Sequence, residues 1–326
     1  MPDHDQPPPA PTRVAIATLV AAAACWGLGT VVSKQVVDDV APLTLLPIQL
    51  AASSALLLVV TTVRREPIAL TPPVRKLAVL GVLNPGAAYA LGLVGLTTIT
   101  ASMYVLIWAT EPVVILVLAA LVLRERISLR LAALVSVAVA GVLLVVHQPG
   151  VSGDLVGILL TITSVGFCGL YTVLTRRLLL DDASLTVVIA QQAAALAFAV
   201  LLASVAGLLG ANGWDVAGLG ATSLLLATVS GVLYYGLGFW FYLTGLRLVP
   251  ASYAAAFLPL IPLFGLAGGY LTGERLSPVQ WIGTALVIGA TLGIAGRQAS
   301  PSEATPRTAG EPSTRTPDGG AASHTE

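Results

Sequence analysis

The sequence predicts an all-α integral membrane protein: ten transmembrane helices arranged as two inverted five-helix repeats. Three observations carry this reading. Apolar residues make up 56% of the chain against 10% charged, with a mean hydropathy of +0.90, too little polar surface to cover a water-soluble globule. The apolar residues gather in runs of roughly 20, the length a helix needs to cross a hydrocarbon core, and helices are expected because lipid offers the backbone no partner. The chain also repeats itself. Gly95-Leu96 followed by Ala101-Ser102 returns 150 residues later as Gly245-Leu246 followed by Ala251-Ser252, with Pro112 and Pro262 ten residues beyond each serine. Glu125-Arg126-Ile127-Ser128 likewise returns as Glu274-Arg275-Leu276-Ser277.

In order, the spans are expected over 14–32, 43–63, 77–96, 100–123 and 129–146 in the first copy, 13–147. In the second copy, 154–296, they are expected over 155–174, 185–209, 224–246, 252–271 and 279–295. Five crossings per copy is an odd number, so the second copy must enter the membrane upside down. Residues 1–12 and 298–326, rich in Pro, Ser, Thr and Gly, cannot bury apolar area and are expected to be disordered tails.

Charge placement sets the expected orientation. With the N-terminus in the cytoplasm, fourteen of the sixteen basic residues fall on the cytoplasmic side, leaving Lys34 and Arg275 outside. The positive-inside rule therefore puts both termini in the cytoplasm. Ala22-Ala23-Ala24-Cys25 superficially resembles a processing site, but the proline-rich leader carries a single Arg13 and nine more spans follow, so the first run reads as a span. Cys25 and Cys168 lie within spans and read as apolar filler. Two Cys and three His show no metal-ligand spacing, and no metal or cofactor is expected.

The most pointed chemical residue is Glu111. In a continuous helix over 100–123 it sits near the bilayer midplane, with no other charge between Thr97 and Leu123. A carboxylate there costs a few kcal/mol, so it should face the bundle interior and hold a proton or meet a cation. The bland alternative is that it serves the backbone opened by Pro112, which removes a helix donor. Helical spacing places Tyr104 and Trp108 on the same face, a wall suited to a cation with an apolar body, although rings of this kind also anchor helices at the interface. The eighth span adds Tyr234, Tyr235, Phe239, Trp240, Phe241 and Tyr242, of which Tyr235 is the candidate cavity residue. Trp26, Gln49, Asn84, Tyr89 and Gln191 or Gln192 are the remaining polar or amphipathic groups in spans. Each can bond a neighbouring helix as readily as a substrate. Gln192 is taken as the candidate of its pair.

Gly265 with Gly269, and Gly289 with Gly293, form small-residue faces that let helices approach. Pro47, Pro85, Pro112, Pro259 and Pro262 interrupt spans, and the matched pair Pro112 and Pro262 points to a site near the repeat interface. Glu125 and Glu274 each precede a serine able to cap the next helix, where an acid is favourable, and read as structural.

Trp26-Gly27 followed by Ser33-Lys34, the paired Gly-Leu and Ala-Ser elements, Glu111-Pro112, and Glu-Arg-Ile/Leu-Ser after the fourth and ninth spans together resemble the drug/metabolite transporter superfamily, specifically its EamA-type exporters. The resemblance covers residues 14 to 296. The second copy departs from it where Cys168-Gly169 stands in place of Trp26-Gly27. It implies an inner-membrane carrier without a prosthetic group, commonly an exporter of amino acids, related metabolites or cationic and amphipathic drugs. Expected partners are a small-molecule substrate and membrane lipid, with a proton as candidate coupling ion and no nucleic acid. An uptake permease of the same fold is the alternative. A channel would need a continuous polar stripe, and an enzyme would need a nucleophile, metal set or acid–base pair at depth; the spans supply neither.

Overall fold

The computed structural model describes residues 13–65, 68–123, 129–146, 155–178, 185–210, 214, 219–249, 254 and 257–299, where every regular element is helical. The first repeat contributes α1 (Arg13–Val36), α2 (Pro42–Arg64), α3 (Pro72–Val79), α4 (Ala88–Leu96), α5 (Ala101–Trp108), α6 (Glu111–Leu123) and α7 (Leu129–Val146). The second contributes α8 (Leu155–Leu178), α9 (Leu185–Leu208), α10 (Ala221–Gly231), α11 (Gly238–Leu246), α12 (Leu260–Leu271) and α13 (Pro278–Ala299). Among the described residues six helical stretches are long and apolar enough to cross a membrane, and four shorter apolar ones accompany them. The two expected tails lie outside the described residues, save that α13 continues to Ala299.

Helix ends follow local chemistry. Pro42 and Pro72 open α2 and α3, where a missing N–H leaves no bond unmade. Thr100 caps α5, its hydroxyl accepting from the Met103 amide at 3.1 Å. Ser277 and Gln280 form a reciprocal capping box at the start of α13: the Gln280 amide donates to the Ser277 hydroxyl, and the Ser277 amide to Gln280 Oε1.

Side-chain bonds between helix ends fix the direction of each repeat. Lys34, near the end of α1, donates to carbonyls at the end of α4. Asp39, just past α1, accepts from Ser223 at the start of α10. The third span of one copy therefore ends where the third span of the other begins. Glu274 after α12 reaches the start of α5, and Gln280 at the start of α13 donates to the Val145 carbonyl at the end of α7. Three equivalent pairs of spans thus run antiparallel, as two inverted repeats require.

The repeats interlock through matched crossings. α2 packs on α9 and α7 on α13, while α1 packs on α11 and α12 just as α8 packs on α4 and α6. Gly231 touches the Gln49 main chain, and Gly81 touches the Gln191 main chain in the equivalent place. A Cβ at either glycine would collide with backbone. Gly265 presses on Val105 and Gly293 on Leu134, whereas Gly289 has open space beside it, so the expected packing role for Gly289 does not hold.

Two expected continuous spans are broken. The fourth ends α5 at Trp108, turns through Ala109 and Thr110, and restarts as α6 with Glu111 first and Pro112 second. Glu111 is thus the first residue of a helix, not the middle of one. The ninth turns over 257–259 before α12, with Pro262 in its first turn. A proline ring excludes the carbonyl four residues earlier and offers no donor, which accounts for both breaks. The third spans of both copies also loosen, into π segments at Leu83–Ala87 and Val232–Leu237. Asn84 there adopts an extended backbone (φ −146°, ψ 119°) before a cis proline. Val232–Leu237 contains no proline, and nothing in its sequence announces the π turn.

Candidate functional site

Five aromatic rings from both repeats meet where the two loosened third spans cross the fourth. Tyr89 of α4 stacks on Trp108 of α5, with ring centroids 5.1 Å apart and 7° between planes. Tyr234 and Tyr235, on the second π segment, meet the Tyr89 ring edge to face at 5.3 and 5.0 Å. Tyr104 closes the group, 6.0 Å from Trp108. These spacings are those at which ring quadrupoles attract, each pair worth roughly 1 kcal/mol beyond its buried area. Tyr89, Tyr104 and Tyr235 are buried, and Trp108 and Tyr234 are half-buried.

The space among the rings is small. A cavity of about 10 Å³ is lined by Tyr89, Tyr104, Tyr234 and Tyr235 with Thr30, Ser33, Leu93 and Leu96, room for about one water. Among the described residues no substrate-sized hollow lies between these rings. A larger groove of about 530 Å³ runs between α5, α12 and α13, lined by Ser102 and Glu274 and by exposed apolar residues, Tyr270, Leu271 and Trp281 among them; none of the five rings lines it.

Glu111 is half-buried and points across the repeat boundary. Its Oε1 accepts a hydrogen bond from the Cys168 thiol of α8 at 3.2 Å. It lies within electrostatic reach of Tyr234 and Tyr242, as Cys168 does of Tyr89, Tyr104 and Tyr234. Cys168 is therefore no mere filler. It stands where the first copy has Trp26, so the two copies place different side chains at this position. Tyr234 joins Tyr235 in the cluster, both carried on the π segment Val232–Leu237.

The remaining candidates back the cluster or stand apart from it. Gln49 donates to the Ser33 and Ser230 hydroxyls at 2.9 and 2.8 Å, one step behind the cavity wall. Gln192 donates to the Tyr235 carbonyl at 2.8 Å and accepts from the Ser53 hydroxyl at 2.5 Å, holding the backbone that carries the Tyr235 ring. Both are interhelical ties. Gln191 is another: it donates to the Leu77 carbonyl and accepts from the Tyr171 hydroxyl. Trp26 belongs to a separate group with Phe239 and Tyr242, each 5.4 Å away. Gln49 Oε1 and Asn84 Oδ1 are buried acceptors without a donor among the described residues. Pro112 adjoins the site, and Pro262 stands in the equivalent place of the second repeat.

Glu274 does not serve its own helix. Its carboxylate accepts from the Ala101 and Ser102 amides at 2.7 and 2.9 Å, capping α5 of the other repeat. Glu125 lies outside the described residues.

An all-helical bundle of two inverted repeats with interrupted spans is an architecture shared by many multi-pass membrane transporters. Family comparison makes this specific. The model of the EamA-like transporter family matches residues 13–147 and again 155–296, and the chain belongs to that family, a membrane transporter of the drug/metabolite type. A crystal structure of a protein 18% identical in sequence covers 87% of this chain, and this chain 97% of it, with a TM-score of 0.61; at that identity the likeness is one of fold. No match was found among curated proteins.

Proposed function

We propose that the protein is a secondary active exporter of small metabolites bearing an amine, or of cationic and amphipathic compounds, working by alternating access in the inner membrane with both termini cytoplasmic. The single observation that carries this reading is the placement of Glu111. It is a carboxylate on the first repeat, bonded to Cys168 of the second and three residues beyond Trp108, whose ring stacks on Tyr89. A protonated amine gains charge attraction from Glu111 and ring-face attraction from Tyr89, Tyr104 and Trp108, the latter worth about 0.5–2 kcal/mol per contact.

Rocking of one inverted half against the other parts groups that belong to different repeats. Glu111 and Cys168 lie on that divide, so the carboxylate changes environment between states and alternately holds a proton or the substrate amine. The rings fill the site in the closed conformation and separate to admit substrate. The helix breaks at Pro112 and Pro262 supply the hinges. The basic residues Arg13, Arg64, Arg65, Arg75, Lys76, Arg130 and Arg247, among the described ones, support placing the end of the bundle that carries them in the cytoplasm.

Purified protein in liposomes tests this reading. Export of a radiolabelled amine under an imposed pH gradient should be saturable, and lost or made indifferent to pH in Glu111→Gln. Non-saturable flux would mark a channel instead.

A further inference from the structure

The turn 97–100 between α4 and α5 is held from both ends by opposite charges that come from elsewhere in the fold. At the C-terminal end of α4, Lys34 Nζ donates to the Leu96 and Thr97 carbonyls at 3.0 and 3.2 Å, with Asp38 3.8 Å away. At the N-terminal end of α5, both Glu274 carboxylate oxygens accept main-chain amides, those of Ala101 and Ser102. A cation sits on orphan carbonyls and an anion on orphan amides, each matching the sign of the helix end it meets. Lys34 belongs to the first repeat and Glu274 to the second. The small cavity adjoins both helices, its wall including Leu96 of α4 and Tyr104 of α5.

We propose that Lys34 and Glu274 form a two-point clamp that shuts this end of the bundle and positions α4 and α5, with Tyr89, Tyr104 and Trp108, in the closed conformation. The inference rests on the alternating-access reading above. Opening this end requires α5 to leave α12 and α4 to leave α1, and either movement breaks one arm of the clamp. Glu274 is the arm that crosses between repeats, so it reports their relative movement. Gly269 packs against the Glu274 carboxylate and the Ser102 hydroxyl, so a larger residue there would push the carboxylate off its present position. Each arm is a charge-to-helix-end contact able to bias an open–closed equilibrium by roughly tenfold.

Cys168 supplies a reporter that needs no substrate. It is buried beside Glu111, deep from the clamped end. In a Cys25→Ser background, a membrane-impermeant maleimide applied from the clamped face should label Cys168 slowly. Glu274→Gln and Lys34→Met should each raise that rate by about tenfold with labelling from the opposite face unchanged or reduced. Glu274→Asp and Lys34→Arg should restore part of the protection. Unchanged labelling in folded variants, judged by an unaltered melting temperature, overturns the clamp; so does a rise of equal size from both faces, which means general loosening. If Glu274→Gln does not fold, Lys34→Met is read alone by the same criteria. Because labelling is scored without transport, a failed clamp leaves the Glu111 reading standing, and a transport-competent Glu111→Gln leaves the clamp standing.

Discussion

The thiol of Cys168 donates to Oε1 of Glu111 at 3.2 Å, a hydrogen bond that spans the boundary between the two repeats. Substituting Cys168→Val deletes the donor while adding one carbon to the side chain. A hydrogen bond to a charged group contributes about 1.5–3 kcal/mol, and a weak thiol donor sits at or below the lower end. Transport kcat/KM in liposomes should fall roughly three- to tenfold, with Cys168→Ser near wild type. Equal activity in Cys168→Val would separate Glu111 from its partner.

Glycine substitutions should split by sign. Gly231→Ala drives a methyl into the Gln49 main chain, which has no rotamer by which to yield. The expected cost is about 1–3 kcal/mol, more than the roughly 1 kcal/mol that alanine gains over glycine within a helix. Gly289→Ala places its methyl in open space and should be neutral or stabilising by up to about 1 kcal/mol. Thermal unfolding in detergent checks both, and a Gly231→Ala variant as stable as wild type would refute the crossing.

Gln192 bonds two buried partners, the Ser53 hydroxyl and the Tyr235 carbonyl, so Gln192→Leu should cost about 1–3 kcal/mol by stranding them. Freed of its tie, the Tyr235 backbone no longer fixes its ring. The expected result is a raised KM together with a lowered melting temperature, while Gln192→Glu retains acceptance from Ser53 but loses the bond to the carbonyl. A lower melting temperature with unchanged KM would confine Gln192 to structure.

Much of this fold was legible because its causes are local. Composition demands a membrane, the odd count of spans per copy demands inversion, and the paired Gly-Leu and Ala-Ser elements mark the duplication. Glu111 stood out because a charge inside an apolar run has few reasons to be there. Its setting was harder to read. A helical wheel over 100–123 assumes one continuous helix, and the break at Ala109–Thr110 changes which side chains share a face with Glu111. Tyr234 was not singled out either, and it lies with Tyr235 on the π segment Val232–Leu237, which nothing in the sequence announces. Glu274 is structural, as its sequence setting suggests, but the helix it caps was hidden, because Ala101 and Ser102 lie more than 170 residues away and only the docking of the two repeats brings them together. Partners that depend on a long-range crossing leave no period in the chain.

The central proposal is that Glu111 exchanges a proton and a substrate amine between the two faces. Its most direct test is proteoliposome transport by wild type and Glu111→Gln across a range of pH, scoring substrate-driven proton movement with an entrapped pH dye. The account predicts saturable, pH-dependent transport with counter-moving protons in wild type, and neither proton movement nor pH dependence in Glu111→Gln. A Glu111→Gln protein that moves substrate at the wild-type rate with the same pH profile would contradict it.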